Sequence, residues 1–230
     1  EPGVLFWDRI EKGNLLREYP NFKYAGVNPC AEEPLPAGGS CLLGSLNLAE
    51  FVTASGNFDF DSLADATYTA TIALNEVLDE GLPLHPLQIQ RDSVHDWRQV
   101  GLGVFGIADM LIKMGIRYGS TDSLELCNTI AKYILNYSLV ASAALAVQNG
   151  KSFPMYNKKL TMQSDFFKEN VWDVTLKAIE DNGMYNSQLL TIAPTGTLST
   201  MLGVSGGIEP IFANSSTRKT ESLHSEDVYY

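Results

Sequence analysis

Residues 28–52 read NPCAEEPLPAGGSCLLGSLNLAEFV, and the stretch changes character as it runs. It opens on polar and reactive side chains, crosses a Pro/Gly loop at residues 34–39, and enters an apolar run at residues 42–48. Asn28, Cys30 and Glu32 place an amide, a thiol and a carboxylate at alternate positions. In an extended backbone alternate residues share a face and rise about 3.3 Å per residue, so the three functions are expected to converge. Glu33 then points the other way and reads as a solvated or structural charge, while Pro29 restricts Asn28 to extended geometry. A neighbouring carboxylate disfavours a thiolate. Cys30 is therefore a poor nucleophile and suits hydrogen-atom transfer, with the carboxylate handling a proton. A buried structural cysteine is the plainer alternative, and spacing alone leaves both open.

Outward from this stretch, residues 1–27 read as a short helical entry and a loop. Residues 61–80 carry Leu63, Ala66, Ala70, Ala73, Leu74 and Val77 near helical spacing, and Gly81 and Pro83 end that helix. A second helix is expected over residues 100–114, closed by Gly115. A third spans residues 122–148, with Asp122 and Glu125 as a capping-box-like start and Gly150 as its stop. Its stripe of Leu124, Cys127, Ala131, Ile134, Ser138, Ala141 and Leu145 holds many small side chains, which suits close packing. Residues 189–193 form a short apolar run that fits a buried strand, residues 194–200 a turn-rich loop, and residues 208–212 extended structure. Strands alternating with long helices point to an α/β architecture.

At 230 residues and 45% hydrophobic, the chain can bury the core of one domain or a large domain piece. A net charge of −11 with scattered Lys and Arg argues against a nucleic-acid surface. An anionic substrate must then be held by local geometry rather than by the global field. Cys30, Cys41 and Cys127 make no extracellular disulfide framework. Without a CxxC pair, and with His85, His95 and His224 well apart, no metal site is expected. No stretch reads as membrane-spanning and Glu1-Pro2-Gly3 does not begin a signal peptide, so the chain is expected to be cytoplasmic. Gly101, Gly103 and Gly106 spell GxGxxG with Asp122 beyond. Residues 93–99 ahead of them are polar, where a dinucleotide fingerprint needs an apolar strand. These glycines are read instead as letting a helix pack tightly, and a nicotinamide cofactor is set aside.

Residues 28–52, residues 98–112 (RQVGLGVFGIADMLI) and residues 191–213 (TIAPTGTLSTMLGVSGGIEPIFA) resemble, in this order, three blocks of ribonucleotide reductase large subunits. The resemblance runs over nearly the whole chain. It implies that residues 1–230 are the later part of a ten-stranded α/β barrel, an excised C-terminal fragment of a larger catalytic subunit. That subunit reduces ribonucleotides to 2′-deoxyribonucleotides. By resemblance Cys30 becomes a transient thiyl radical that removes the 3′ hydrogen, Glu32 accepts the 3′-hydroxyl proton, and Asn28 holds the ribose hydroxyls. Cys41 resembles the later member of a redox cysteine pair whose earlier member lies upstream of residue 1; a Cys30–Cys41 disulfide, an inactive state, is the competing pairing. Cys127 is read as core.

The loop Pro194-Thr195-Gly196-Thr197-Leu198-Ser199 is assigned by the resemblance to the substrate phosphates, held by backbone N–H groups without Lys or Arg. Gly206-Gly207 belong to a neighbouring block, and Glu209 is given no chemical step. The spelling NPCAEEPLP with APTGTLS is most similar to the adenosylcobalamin-dependent class II enzymes. The alternative is class I, with a dinuclear metal cofactor in a separate subunit. Thioredoxin-like or other dithiol reductants and a full-length homodimer are the partners implied. Two readings from other classes stand beside this one: a stand-alone thiol enzyme with Cys30 as nucleophile, and a catalytically silent assembly piece.

Overall fold

The computed structural model describes residues 3–211, 213–220 and 225–229; Phe212, the end of the expected extended segment, and His224 lie outside them. In chain order the elements begin with α1 (Trp7–Lys12), β1 (Tyr24–Val27), β2 (Pro34–Pro36) and β3 (Leu43–Asn47). Then come α2 (Phe60–Gly81), α3 (Gln88–Trp97), β4 (Gly101–Phe105), α4 (Ile107–Lys113) and α5 (Thr121–Gln148). The remainder are α6 (Lys158–Gln163), α7 (Asp165–Asn170), α8 (Asp173–Asn182), α9 (Gly196–Leu202), β5 (Ser216–Thr220) and β6 (Ser225–Tyr229).

Two parallel strands and a third extended segment hold the centre. β3 pairs with β4 in parallel from Leu43↔Gly101 to Asn47↔Phe105. On the other side of β4, residues 188–191 run parallel to it. The Val100 N–H donates to the Gln188 carbonyl (3.1 Å), the Leu102 N–H to Leu189 (2.8 Å), and the Thr191 N–H to Leu102 (3.1 Å). This is a β-α-β-α-β run: α2 and α3 cross from β3 to β4, and α4 to α8 cross from β4 to residues 188–191. Parallel strands need such helical crossovers. The expected strand at residues 189–193 is realised only as an isolated bridge at Leu190. Among the described residues the sheet does not close into a barrel.

β4 corrects the expectation of a helix over residues 100–114. Every residue of β4 is buried, and a short apolar run buried on both faces has no periodicity to separate strand from helix. Its glycines disfavour helix and serve the sheet instead. A Cβ on Gly103 would collide with the Thr191 carbonyl oxygen, and one on Gly101 would sit 2.6 Å from Thr191 Cγ2. The glycines thus admit a neighbouring strand, not a helix. Gly106, at φ 72°, makes the left-handed turn into α4, where a side chain would strike Asn47 Oδ1.

The two long helices follow from their sequences. Asp59 caps α2 by accepting from the Ser62 N–H at 3.0 Å, and Leu63, Thr67, Thr71, Leu74 and Leu78 form its buried stripe. α5 is capped by Ser120, which accepts from the Ser123 N–H at 3.2 Å, rather than by the expected Asp122 and Glu125. Its buried stripe includes Ile130, Ile134, Ser138, Ala141, Ser142 and Leu145; Leu124 is exposed. α5 is long and apolar enough to cross a membrane by length and composition, which the sequence expectation overlooked. However, 61% of its most apolar window is buried, packed against α2 and α8. One core cluster gathers Trp97, Leu102, Leu139, Phe153 and Ile179; another gathers Leu48, Leu63, Val104, Met110 and Ile134, with Cys127 half-buried against it.

A buried polar network locks the entry to β4. Asn75 Nδ2 donates to Asn186 Oδ1 (3.1 Å), and Asn186 Nδ2 donates to Asn75 Oδ1 (2.8 Å) and the Arg98 carbonyl (2.9 Å). Ser142 Oγ donates to Asn186 Oδ1 at 3.0 Å. Arg98 sits 2.6 Å from Asp79 and 3.8 Å above the Tyr185 ring. α2, α5 and the segment leading into residues 188–191 are thereby fixed to one another ahead of the sheet.

Candidate functional site

The reactive residues lie on a hairpin. β1 and β2 pair antiparallel, with Val27 opposite Pro34, and residues 28–33 form the connecting loop. The Asn28 N–H donates to the Glu33 carbonyl at 3.2 Å, the Ala31 N–H to the Asn28 carbonyl at 2.9 Å, and the Glu33 N–H to Asn28 Oδ1 at 3.0 Å. Ala31 takes φ 68°, in the left-handed region that costs a Cβ-bearing residue about 1–2 kcal/mol. The segment is therefore a turn, and the expected alternation of an extended strand does not apply. Cys30 is exposed, Asn28 is buried, and Glu32 is half-buried. The loop is tied to the sheet by Thr191 Oγ1, which donates to the Glu32 carbonyl at 2.7 Å.

Because the loop turns, Glu33 is the carboxylate driven inward. It is only 6% exposed, close to the start of β4: its Oε1 lies 3.6 Å from where a Cβ on Gly101 would stand. Of the two readings of Glu33, as a solvated or a structural charge, burial overturns the first. Its Oε2 and that of Glu32 are buried and carry no hydrogen-bond partner. Burial pushes the Glu33 carboxyl above the usual carboxylate range; contact with Cys41 works against this, and the charge of Glu32 adds to it.

Cys41 stands just ahead of β3, with its thiol within electrostatic reach of Glu33, Glu32 and Asn28. Desolvation, hydrogen bonding to Glu33 and the negative charges of Glu33 and Glu32 push it up to about 12, against a lowering contribution from Asn28. The residue as a whole is exposed, so the shift belongs to the sulfur's local surroundings. All three cysteines are free thiols. A cavity of about 320 Å³ opens beside this group, walled by Tyr24, Glu32, Glu33, Val100, Gln188 and Thr191. Of its lining residues, Gln188 donates to the Tyr24 hydroxyl and accepts from Gln99.

The expected phosphate loop lies at the other end of the sheet. Residues 196–200, expected within a loop, instead begin α9, and Thr195 adopts φ 53° ahead of them. Thr195 Oγ1 accepts from the Gly207 N–H at 2.9 Å, and Ser199 Oγ donates to the Gly196 carbonyl at 3.2 Å. No side chain caps α9. The following turn binds the start of α4: Ser205 N–H donates to Asp109 Oδ2 at 2.6 Å and Gly106 N–H to the Ser205 carbonyl at 2.8 Å. Pro194, Gly196, Thr197 and Leu198 are exposed and Ser199 is buried. The structure therefore brings Asn28, Glu32 and Cys41 together and adds Glu33. It leaves Cys30 at the hairpin tip and residues 194–199 one strand-length away, with no hydrogen bond joining them to the thiol group among the described residues.

The geometry can be set beside known proteins. The model of the ribonucleotide reductase barrel domain matches residues 1–228. The vitamin B12-dependent ribonucleoside-diphosphate reductase of Thermoplasma acidophilum is 38% identical over 213 residues, 93% of this chain and 25% of that protein. A protein of the same description from Mycobacterium tuberculosis is 31% identical over 224 residues, 97% of this chain and 29% of that protein. The ribonucleoside-diphosphate reductase subunit alpha of Chlamydia trachomatis is 28% identical over 192 residues, covering 75% of this chain and 18% of its own length. The chain thus spans between about a fifth and three tenths of these relatives.

Proposed function

The chain belongs to the ribonucleotide reductase barrel-domain family, and from this premise we propose that it is the later part of a catalytic barrel that converts ribonucleotides to 2′-deoxyribonucleotides. The observation that carries the reading is the gathering of Asn28, Glu32, Glu33 and Cys41 where the hairpin meets the first residues of β3 and β4. An amide, two carboxylates and a thiol that stays protonated at neutral pH suit chemistry by hydrogen-atom and proton transfer better than by thiolate attack.

Cys30, exposed at the hairpin tip, is the residue open to an external radical source. As a thiyl radical it takes the 3′ hydrogen of the ribose. Glu32, with an unpartnered oxygen, accepts the 3′-hydroxyl proton. Asn28 spends its carbonyl oxygen closing the loop and keeps its NH₂ for the Cys41 side of the site and the ribose hydroxyls. The 2′-hydroxyl leaves as water. Cys41 and a cysteine upstream of residue 1 supply two electrons to C2′ and become a disulfide, and Cys30 returns the hydrogen to C3′. Residues 194–199 hold the phosphates, with uncapped amides at the start of α9 in place of Lys or Arg.

The B12-dependent relatives support class II. The accessibility of Cys30 fits adenosylcobalamin, which when bound supplies a carbon-centred radical that takes the thiol hydrogen. The similarity to the Chlamydia alpha subunit supports the alternative, a class I subunit served by a dinuclear metal cofactor on a second chain. The relatives' descriptions favour diphosphate substrates. A cytoplasmic, homodimeric full-length enzyme reduced by a thioredoxin-like dithiol completes the reading. The fragment alone, without the upstream cysteine, is expected to be inactive.

The test is ribonucleotide reduction by the full-length parent with dithiothreitol and adenosylcobalamin and no second subunit. Deoxynucleotide is the expected product, lost in Cys30→Ser. No product without a metal-bearing subunit, but product with one, would transfer the chain to class I. Normal turnover by Cys30→Ser would end the radical reading.

A further inference from the structure

Thr191 is where the reactive loop meets the sheet, and both branches of its side chain are engaged. Its hydroxyl donates to the Glu32 carbonyl at 2.7 Å, bridging 159 positions of chain. Its methyl carbon lies against Gly101, 2.6 Å from where a Cβ would stand, so this seat exists only because position 101 is glycine. Its N–H donates to the Leu102 carbonyl at 3.1 Å, which fixes the backbone that carries both branches. A β-branched side chain is stiff about χ1, so seating the methyl also aims the hydroxyl. Thr191 itself is buried.

Among the described residues the loop backbone has no other such tie. Its remaining hydrogen bonds, between Asn28, Ala31 and Glu33, close within residues 28–33. Ala31 meanwhile holds a left-handed φ of 68°, a strained conformation that persists only where the surroundings enforce it. The single outside fastening falls on the carbonyl of Glu32, the residue to which the proposed mechanism gives the 3′-hydroxyl proton. The same segment runs on from Thr191 to Pro194 and the residues read as holding the phosphates. We propose that Thr191 is the positioning residue of Glu32. Its hydroxyl holds the loop by the Glu32 peptide, and so sets the carboxylate in register with residues 194–199 at the other end of the substrate. Thr191 moves no proton and forms no bond to substrate in this role. The role in the reaction rests on the reading of Glu32 as proton acceptor; the anchor itself does not.

Hydrogen exchange, read amide by amide on the 230-residue chain, tests the anchor. Thr191→Val keeps the shape and the methyl seat and removes the hydroxyl. It should speed exchange of the Ala31 and Glu33 amides about 5-fold, the order expected for loss of one hydrogen bond. The Val100 and Leu102 amides, bonded to residues 188 and 189, should stay within about 2-fold of native. Thr191→Ser keeps the hydroxyl and should exchange as native. Unaltered loop amides in Thr191→Val, equal acceleration of the loop and of Val100 and Leu102, or a serine variant that matches the valine one would each overturn the proposal. In the full-length enzyme Thr191→Val should lower kcat about 10-fold with substrate KM within about 2-fold, since small displacements of a positioned group lower the rate steeply. Exchange of the substrate 3′ hydrogen should fall with it, and Thr191→Ser should recover both. Native kcat beside a loosened loop, or a raised KM with kcat intact, overturns the role in the reaction. A parent that reduces no ribonucleotide would defeat the functional reading instead, and the amide exchange would still decide the anchor.

Discussion

Two buried polar clusters flank the start of β4, and they are built on opposite rules. Around Asn186, ahead of Gly101, nearly every donor meets an acceptor: Asn75, Ser142 and the Arg98 carbonyl are all bonded to it. Arg98 Nε and, on the residue after Asn186, Ser187 Oγ lack a partner there. Around Glu33, on the hairpin side of Gly101, Oε2 of both carboxylates and the Ser40 hydroxyl are unpartnered, with no cation bonded to either carboxylate among the described residues. A satisfied network specifies a fold. A buried group left short of partners stores free energy, which a structural role does not require. The same few residues of β4 therefore carry a satisfied clamp on one side and, on the other, an unsatisfied acidic cluster that the proposed function makes part of the site.

The comparison breaks most visibly at the clamp. Asn186→Ala removes the hub: Asn75 and Ser142 lose their side-chain bonds to it and keep only those to the Thr71 carbonyl, Arg98 and the backbone N–H groups of residues 185 and 186, and the Arg98 carbonyl loses a donor; this should cost about 2 kcal/mol or more in unfolding free energy, read by denaturant titration. A loss under about 1 kcal/mol would mean that the network is not the clamp. On the other side the sign should reverse. Glu33 has a folded-state pKa raised above its ordinary value of 4.5, so the native state binds the proton more tightly than the unfolded chain. Stability is then lost as pH rises from about 4.5 through the folded-state value, and remains lost above it. Glu33→Gln should raise the melting temperature at pH 7, and the gain should vanish as pH falls below about 4.5. A variant less stable than native at pH 7 would place Glu33 among the structural residues. The smallest effect is local: Ala31→Gly should relieve the left-handed backbone at φ 68° and stabilise by up to about 1 kcal/mol, measurable as a rise in melting temperature.

What could be read in advance divides along similar lines. α2 and α5 were legible because long amphipathic stripes and end signals are local facts; the cap of α5 moved from Asp122 to Ser120, and Ala73, Val77 and Leu124, expected within the stripes, are exposed. β4 was not, because an apolar run with glycines is decided by what packs on it, here Thr191 from 90 residues later in the chain. The prolines of β2 hid a strand, and α3, α6, α7 and α8 were missed as short helices with weak patterns. At the site, residue types singled out Asn28, Cys30 and Glu32 and the resemblance added Cys41; the loop leaves Cys30 exposed at its tip, and the alternation argument misplaced Glu33. The overlooked signal was the pair of prolines at 29 and 34 bracketing a loop closed by an asparagine, a turn signature, not a strand.

The pairing of β4 has a consequence in time. Leu102 meets Gly44 from 58 positions earlier and Leu190 from 88 positions later, so the central contacts join parts of the chain far apart in sequence. Such pairings form late, after the costly closing of long loops. During synthesis α2 and α5 can coil as soon as they emerge, but the sheet waits for residue 191. Until then Thr191 cannot anchor the Glu32 carbonyl, and neither Glu33 nor Cys41 has its pocket. The surroundings of the proposed site are thus completed only when residues 188–191 join β4.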